Sequence, residues 1–246
     1  MKPTPAISRG STSADLGILA YARDAHPDLR LHLSVQAAAG SIDAIDDYAK
    51  TYGVRRVVLP RVLSAPEIAA LNRQIGVETE AFVFGGLCVM AEGRCALSSY
   101  ATGRSPNLSG VCSPPEAVSF QDEQGQLTSR LAGFTLDRFA PGETAGYPTL
   151  CKGRFLADGE PSYLFEEPTS LNAMGLLADL AKAGVTAVKI EGRQRGKAYV
   201  ARVAAAFRAA LDALDRGEPT GPYEHLLSNL AEGGRETAGA YRKSWR

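Results

Sequence analysis

Histidine is scarce in this 246-residue chain: only His26, His32 and His225 occur, far apart. There is no HExxH helix signature and no paired-His spacing, which argues against a histidine-bound zinc enzyme. Also missing are a GxGxxG turn and a Walker-type lysine loop, so nothing points to a nucleotide cofactor. A net charge is lacking as well, with 27 basic and 27 acidic residues. That balance gives no general electrostatic grip on nucleic acid or an anionic membrane, and nucleic acid is not the expected partner. No apolar run approaches the ~18–20 residues of a membrane-spanning helix. The N-terminus has no apolar signal core, and Met1–Ala14, polar and rich in Ser, Thr and Pro, reads as a disordered leader. A cytoplasmic location follows as the expectation, in which cysteines face a reducing solvent and structural disulfides are uncommon.

What is present is ordinary in bulk, 45% apolar and 22% charged, enough for one large core. The first half alternates helix and strand. Asp15–Ala25 is helical in composition with Asp15 at its start, and Leu31, Leu33 and Val35 alternate as in a strand. Ser41 caps a helix to about Tyr52, and Val54–Leu59 is a β-branched run closed by Pro60. Ala65–Ile75 reads as a helix with Pro66 in its first turn, and Val77–Phe84 as a strand running into Gly85-Gly86. After residue 165 the rhythm resumes: a helix over Ser170–Ala183, ended by Gly184, a strand over Val185–Ile190 and an amphipathic helix over Lys197–Arg216. The last residues read as a polar, loosely ordered tail. This order predicts a parallel sheet with crossover helices, an open α/β sheet or a (β/α) barrel. The chain is short for a closed eight-stranded barrel carrying a large insertion.

That insertion, roughly residues 85–165, is rich in Gly, Pro and Ser and holds all four cysteines. Within it, Ala117–Phe120 and Gly133–Phe139 flank a polar turn and suggest a small antiparallel element. The cysteines are spaced C-x6-C-x16-C-x38-C as Cys88, Cys95, Cys112 and Cys151. Thiolates bind iron–sulfur clusters or zinc, and Gly85, Gly86, Gly93 and Gly110 would let the backbone approach an inorganic core. Four unrelated buried thiols, a zinc site without any C-x2-C knuckle and a redox disulfide stand beside the cluster on these grounds.

The run Glu80-Ala-Phe-Val-Phe-Gly-Gly-Leu-Cys88-Val-Met-Ala-Glu-Gly-Arg-Cys95 resembles the signature of the collagenase-like peptidase family (unknown-type family thirty-two). Finer runs resemble its ubiquinone-biosynthesis branch: His32-Leu-Ser-Val-Gln36, Arg56–Ser64, Leu97-Ser-Ser-Tyr100, Ala145–Arg154, Glu166–Asn172 and Val188–Arg195. The resemblance covers about Asp15 to Trp245 and implies that Cys88, Cys95, Cys112 and Cys151 ligate a [4Fe–4S] cluster. It further implies oxygen-independent hydroxylation of a ubiquinone precursor in a heterodimer with a UbiV-like protein. Other members hydroxylate RNA bases with prephenate as oxygen donor, so RNA base hydroxylation is the alternative and a similar donor is expected here. The branch begins its barrel with strands and helices that have no counterpart in Met1–Ala14. The expected fold is therefore an incomplete (β/α)-barrel-like domain over 15–246, with an open edge that favours aggregation of the lone chain.

Outside the cysteines, Lys189, Glu191 and Arg193 follow an apolar strand, where residues at strand C-terminal ends line barrel active sites. They fit a carboxylate-bearing donor, with Arg193 as a bidentate clamp, or else an ordinary ion-pair cluster. Arg61 ends a strand-like run and could reach the same face. Glu166 and Glu167 precede a helix start and suit either acid–base work or capping. His32 and Gln36 read as hydrogen-bonded core residues, and Tyr100 and Tyr147 as packing near the cysteine loops. No GxSxG and no Ser, His and acid arrangement supports proteolysis, which stays the weakest alternative beside a zinc-stapled binding protein.

Overall fold

The computed structural model describes residues 10–90, 94–193, 195–227 and 229–243. Its first half is the expected alternation: β1 (Gly10–Ser13), α1 (Leu16–Ala25), β2 (Arg30–Leu33), α2 (Ile42–Tyr52), β3 (Arg56–Val58), α3 (Ala65–Asn72) and β4 (Glu78–Gly86). Local chemistry sets the helix starts. Asp15 accepts from the Ile18 amide at 2.8 Å and Ser41 from the Ala44 amide at 3.3 Å. Ser64 and Glu67 form a reciprocal capping box ahead of α3, with Pro66 in the first turn. β1 to β4 pair in parallel in chain order. Gly10–Ser13, expected within a disordered leader, thus form a strand beside β2, while residues 1–9 lie outside the described part.

The pleat separates two faces. Leu31, Leu33 and Val57 are buried in one core with Leu19, Ile45 and Ile68. The neighbouring positions carry charge. His32, Arg56 and Glu78 stand abreast in register, and Arg30 and Arg56 reach Glu78 at 2.6 and 2.7 Å.

After β4 come α4 (Ala96–Thr102) and α5 (Pro106–Ser109), then a three-stranded antiparallel sheet of β5 (Val118–Glu123), β6 (Gln126–Leu131) and β7 (Phe134–Arg138). The polar turn seen in the sequence is the β5–β6 connection, Gln124-Gly125, both at positive φ. A separate hairpin, β8 (Arg154–Ala157) with β9 (Glu160–Tyr163), was not anticipated. The chain then returns to the main sheet through β10 (Ser170–Asn172), α6 (Leu177–Lys182), β11 (Ala187–Ile190), α7 (Lys197–Asp215) and β12 (Glu236–Thr237).

Two expectations change here. The helix expected over Ser170–Ala183 begins as β10, because the Ala173 amide donates to Val83 O at 2.8 Å and draws the segment into the sheet. A 3-10 turn, Met174–Leu176, then leads into the shorter α6. The tail expected to be loose is also tied in: β12 pairs with β10, and Tyr241 is buried.

β4 is the hub. It pairs in parallel with β3 and β11, and antiparallel with β10 through Phe84–Gly86. Among the described residues β1, β11 and β12 each have a single strand partner, so these strands make an open mixed sheet and do not close into a (β/α) barrel.

Candidate functional site

The C-terminal ends of β1, β2, β3, β4 and β11 border a cleft of about 830 Å³. Ligand sites of parallel sheets form at that end, where connections diverge and leave room. Its wall includes Cys88, Cys95 and Cys112 together with Arg61, Lys189, Glu191 and Arg193. Residues far apart in sequence are thereby gathered on one face, Arg61 and Lys189–Arg193 from strand ends and the cysteines from the inserted loops.

Arg61 is held from two sides. Its guanidinium carbon lies 3.5 Å from the centre of the Phe82 ring, and its Nη2 is 3.4 Å from Glu191. The stack orients the planar fork and partly replaces the water that its burial removes. Lys189 pairs with the buried Glu80 at 2.8 Å. The Arg193 guanidinium donates to Gly110 O, and its amide to Glu191 Oε1 at 3.2 Å. Arg193 is thus committed to the Cys112 loop and is not an idle clamp. Gly85 has φ +122°, and a Cβ there would lie 2.5 Å from Glu191 Cβ and 2.7 Å from Glu191 O. A glycine is needed at this position for the β11–α7 loop to approach β4.

The loops of Cys95, Cys112 and Cys151 are stitched together by hydrogen bonds. Cys95 caps α4, its sulfur accepting from the Ser98 amide at 3.3 Å. The Ser98 hydroxyl donates to Cys112 O, and the Tyr147 hydroxyl to Ser113 O at 3.0 Å. The Glu166 amide donates to Cys151 O at 3.2 Å. Tyr147 therefore supports a cysteine loop, whereas Tyr100 is largely exposed and stacks on Phe134. Gly110 adopts a positive φ as the end of α5, and Gly93 lies outside the described residues.

Burial pushes the Cys112 thiol up and the Cys151 thiol up to about 12, in both cases against the pull of the Lys152 ammonium. Cys151 also feels Cys112 and Cys88, and Cys112 feels Cys95, so the four sulfurs share one electrostatic neighbourhood. All four are free thiols. Among the described residues no three His, Cys, Asp or Glu side chains converge tightly enough for a single metal ion. Four thiols are soft donors, of the kind that bind iron–sulfur clusters or zinc.

Cys151 and Glu166 stand apart from the cleft wall. Glu166 lies beside Lys152 and Glu232. Burial raises its carboxyl pKa, with Lys152 opposing and Glu232 reinforcing, and its buried Oε2 has no hydrogen-bond partner among the described residues. Glu167 pairs with Arg235 on the surface. His32 is held below its usual pKa by burial and by Arg56 and Arg30, and its Nε2 accepts from Arg30 Nε at 3.2 Å, a structural role. Gln36, in contrast, borders the cleft. Lys152, Arg195 and Glu232 were missed from sequence: Glu232 meets Lys152 across 80 residues, and no local pattern marks such a pair.

No helix among the described residues is long and apolar enough to cross a membrane. No solved structure matches the chain. The tRNA hydroxylation protein P of Haemophilus influenzae is 32% identical over 243 residues, covering 89% of this chain and 51% of that protein. Its Escherichia coli namesake is 30% identical, covering 84% and 49%. The 23S rRNA 5-hydroxycytidine C2501 synthase of E. coli is 29% identical, covering 82% and 27%. The chain thus spans about half or less of the length of these curated relatives. Peptidase family U32 matches residues 10–240, from β1 through the cysteine loops to the segment beyond β12, and the chain belongs to that family.

Proposed function

We propose that this chain is the cluster-bearing part of an oxygen-independent hydroxylase acting on RNA bases. One observation carries the reading: three cysteines and the cations Arg61, Lys189 and Arg193 border a single cleft at the strand ends. The reaction class is supported by relatives named for tRNA hydroxylation and for rRNA 5-hydroxycytidine synthesis. These names count against the expectation that nucleic acid is no partner; a neutral chain can hold RNA by local groups alone.

In this reading Cys88, Cys95, Cys112 and Cys151 hold a [4Fe–4S] cluster, which when bound supplies one-electron redox chemistry. Arg61, fixed on Phe82, and Lys189 bind and orient an anionic oxygen donor, with prephenate as the donor to test first. Arg193 keeps the Cys112 loop against the β11 end. Glu191 spaces the two arginines by pairing with Arg61 and receiving the Arg193 amide. The test is nucleoside analysis of tRNA and rRNA from a strain lacking the gene, grown without oxygen. Loss of a hydroxylated nucleoside, restored by the gene and not by its Cys151→Ser form, supports the reading; an unchanged nucleoside profile overturns it.

A second reading, hydroxylation of a ubiquinone precursor by a UbiU-type protein with a UbiV-like partner, is favoured by a different observation. The runs Leu97–Tyr100 and Ala145–Arg154, which flank Cys95 and contain Cys151, resemble that branch. Restoration of anaerobic ubiquinone synthesis in cells lacking UbiU, with RNA unchanged, selects it.

A further inference from the structure

Behind the cysteine loops lies a set of charges that neither reading uses. Lys152 Nζ and the Arg195 guanidinium both contact Glu232, one on each carboxylate oxygen. The side chains are largely withdrawn from water, at 10% exposure for Lys152, 17% for Glu232 and 20% for Arg195. Glu232 is anchored further by its amide, which donates to the buried Ser170 hydroxyl at 2.9 Å. Arg195 is braced by the Tyr199 ring, 5.4 Å from its guanidinium carbon. Gly86 leaves the space: a Cβ there would stand 3.3 Å from both Glu232 carboxylate oxygens and 3.4 Å from Lys152 Nζ.

A half-buried ion network of this kind is weak evidence for stability, since desolvation offsets most of its attraction. Its position is more informative. Lys152 follows Cys151 within one 3-10 turn, Leu150–Lys152, and its ammonium acts on both the Cys151 and Cys112 thiols. Glu232 ties that turn to the start of β10 and packs against the end of β4, which leads into Cys88. Arg195 ties it to the loop after β11, which also carries Arg193.

We infer that Lys152 is the positive charge that tunes the thiolate-bound cluster, and that Glu232 is the positioning residue that holds and partly neutralises it. This rests on the reading of the four cysteines as cluster ligands. Reduction adds one negative charge to a cluster, and a fixed cation nearby stabilises that charge and raises the reduction potential. Removing Lys152 therefore lowers the potential, and removing the Glu232 charge raises it. A purely structural role for the network predicts no such opposite signs.

The experiment uses the full chain purified without oxygen as wild type, Lys152→Met, Lys152→Arg and Glu232→Gln. Iron and sulfide content are measured, followed by a reductive titration read by electron paramagnetic resonance. The expected midpoints are more negative for Lys152→Met, close to wild type for Lys152→Arg and more positive for Glu232→Gln. Midpoints that stay put, or that move the same way in Lys152→Met and Glu232→Gln, overturn the inference while leaving the cluster in place. Should Lys152→Met not retain iron, Glu232→Gln decides: a positive shift supports the inference and an unmoved midpoint overturns it. A wild type without iron and sulfide overturns the cluster reading itself, and this inference with it.

Discussion

The hydroxyl of Tyr241 donates a 2.6 Å hydrogen bond to the carbonyl of Phe82, 159 residues earlier in the chain. Phe82 is also the ring on which Arg61 rests, so the far end of the chain fastens the strand that forms the cleft floor. Replacing Tyr241 by Phe leaves a buried carbonyl without its donor and is expected to cost about 1–3 kcal/mol. Denaturant unfolding checks the value.

The same tyrosine gives a pH signature. Burial pushes its pKa up to about 12, with Arg61 opposing, from an ordinary value of about 10. The folded state thus favours the neutral phenol. This stabilisation is fully present below the unfolded pKa and is lost as pH rises through the folded one. Stability should fall from roughly pH 10 to 12, and Tyr241→Phe should lack that part of the decline. A flat difference between the two proteins across this window contradicts the assignment.

At Gly85 a methyl group has nowhere to go. Its φ is +122°, and the added carbon would lie 2.7 Å from Glu191 O. Overpacking and backbone strain each cost about 1–3 kcal/mol. Gly85→Ala is therefore expected to destabilise by about 3 kcal/mol or more and to displace Glu191 and Arg193. A melting curve equal to wild type contradicts the close approach.

Arg61→Lys keeps the charge and loses the planar stack on Phe82. The expected result is a weaker hold on the anionic donor, seen as a raised KM for the donor of about tenfold, equivalent to ~1.4 kcal/mol, with kcat changed less. An unaltered KM removes Arg61 from the donor site.

The parts of the fold visible in sequence were those coded locally. Asp15, Ser41 and Pro66 announce three helix starts, and the alternation at Leu31–Leu33 announces a strand. What was hidden depends on distant partners. Ser170–Asn172 has helical neighbours but is captured by β4, and β12 becomes a strand only because β10 offers an edge. Likewise Arg61, Lys189, Glu191 and Arg193 could be placed at strand ends from their apolar approaches. Glu232 could not, because its partners Lys152 and Arg195 come from two other loops. Glu166, which the sequence offers for acid–base work or capping, lies beside Lys152 and Glu232 and not on the cleft wall.

Whether Cys88, Cys95, Cys112 and Cys151 hold a [4Fe–4S] cluster is decided by metal and sulfide analysis of the chain purified without oxygen. The expected result is a brown protein with about four irons and four sulfides per chain, most of it lost in each single Cys→Ala variant. A colourless protein, or one carrying a single zinc, contradicts it.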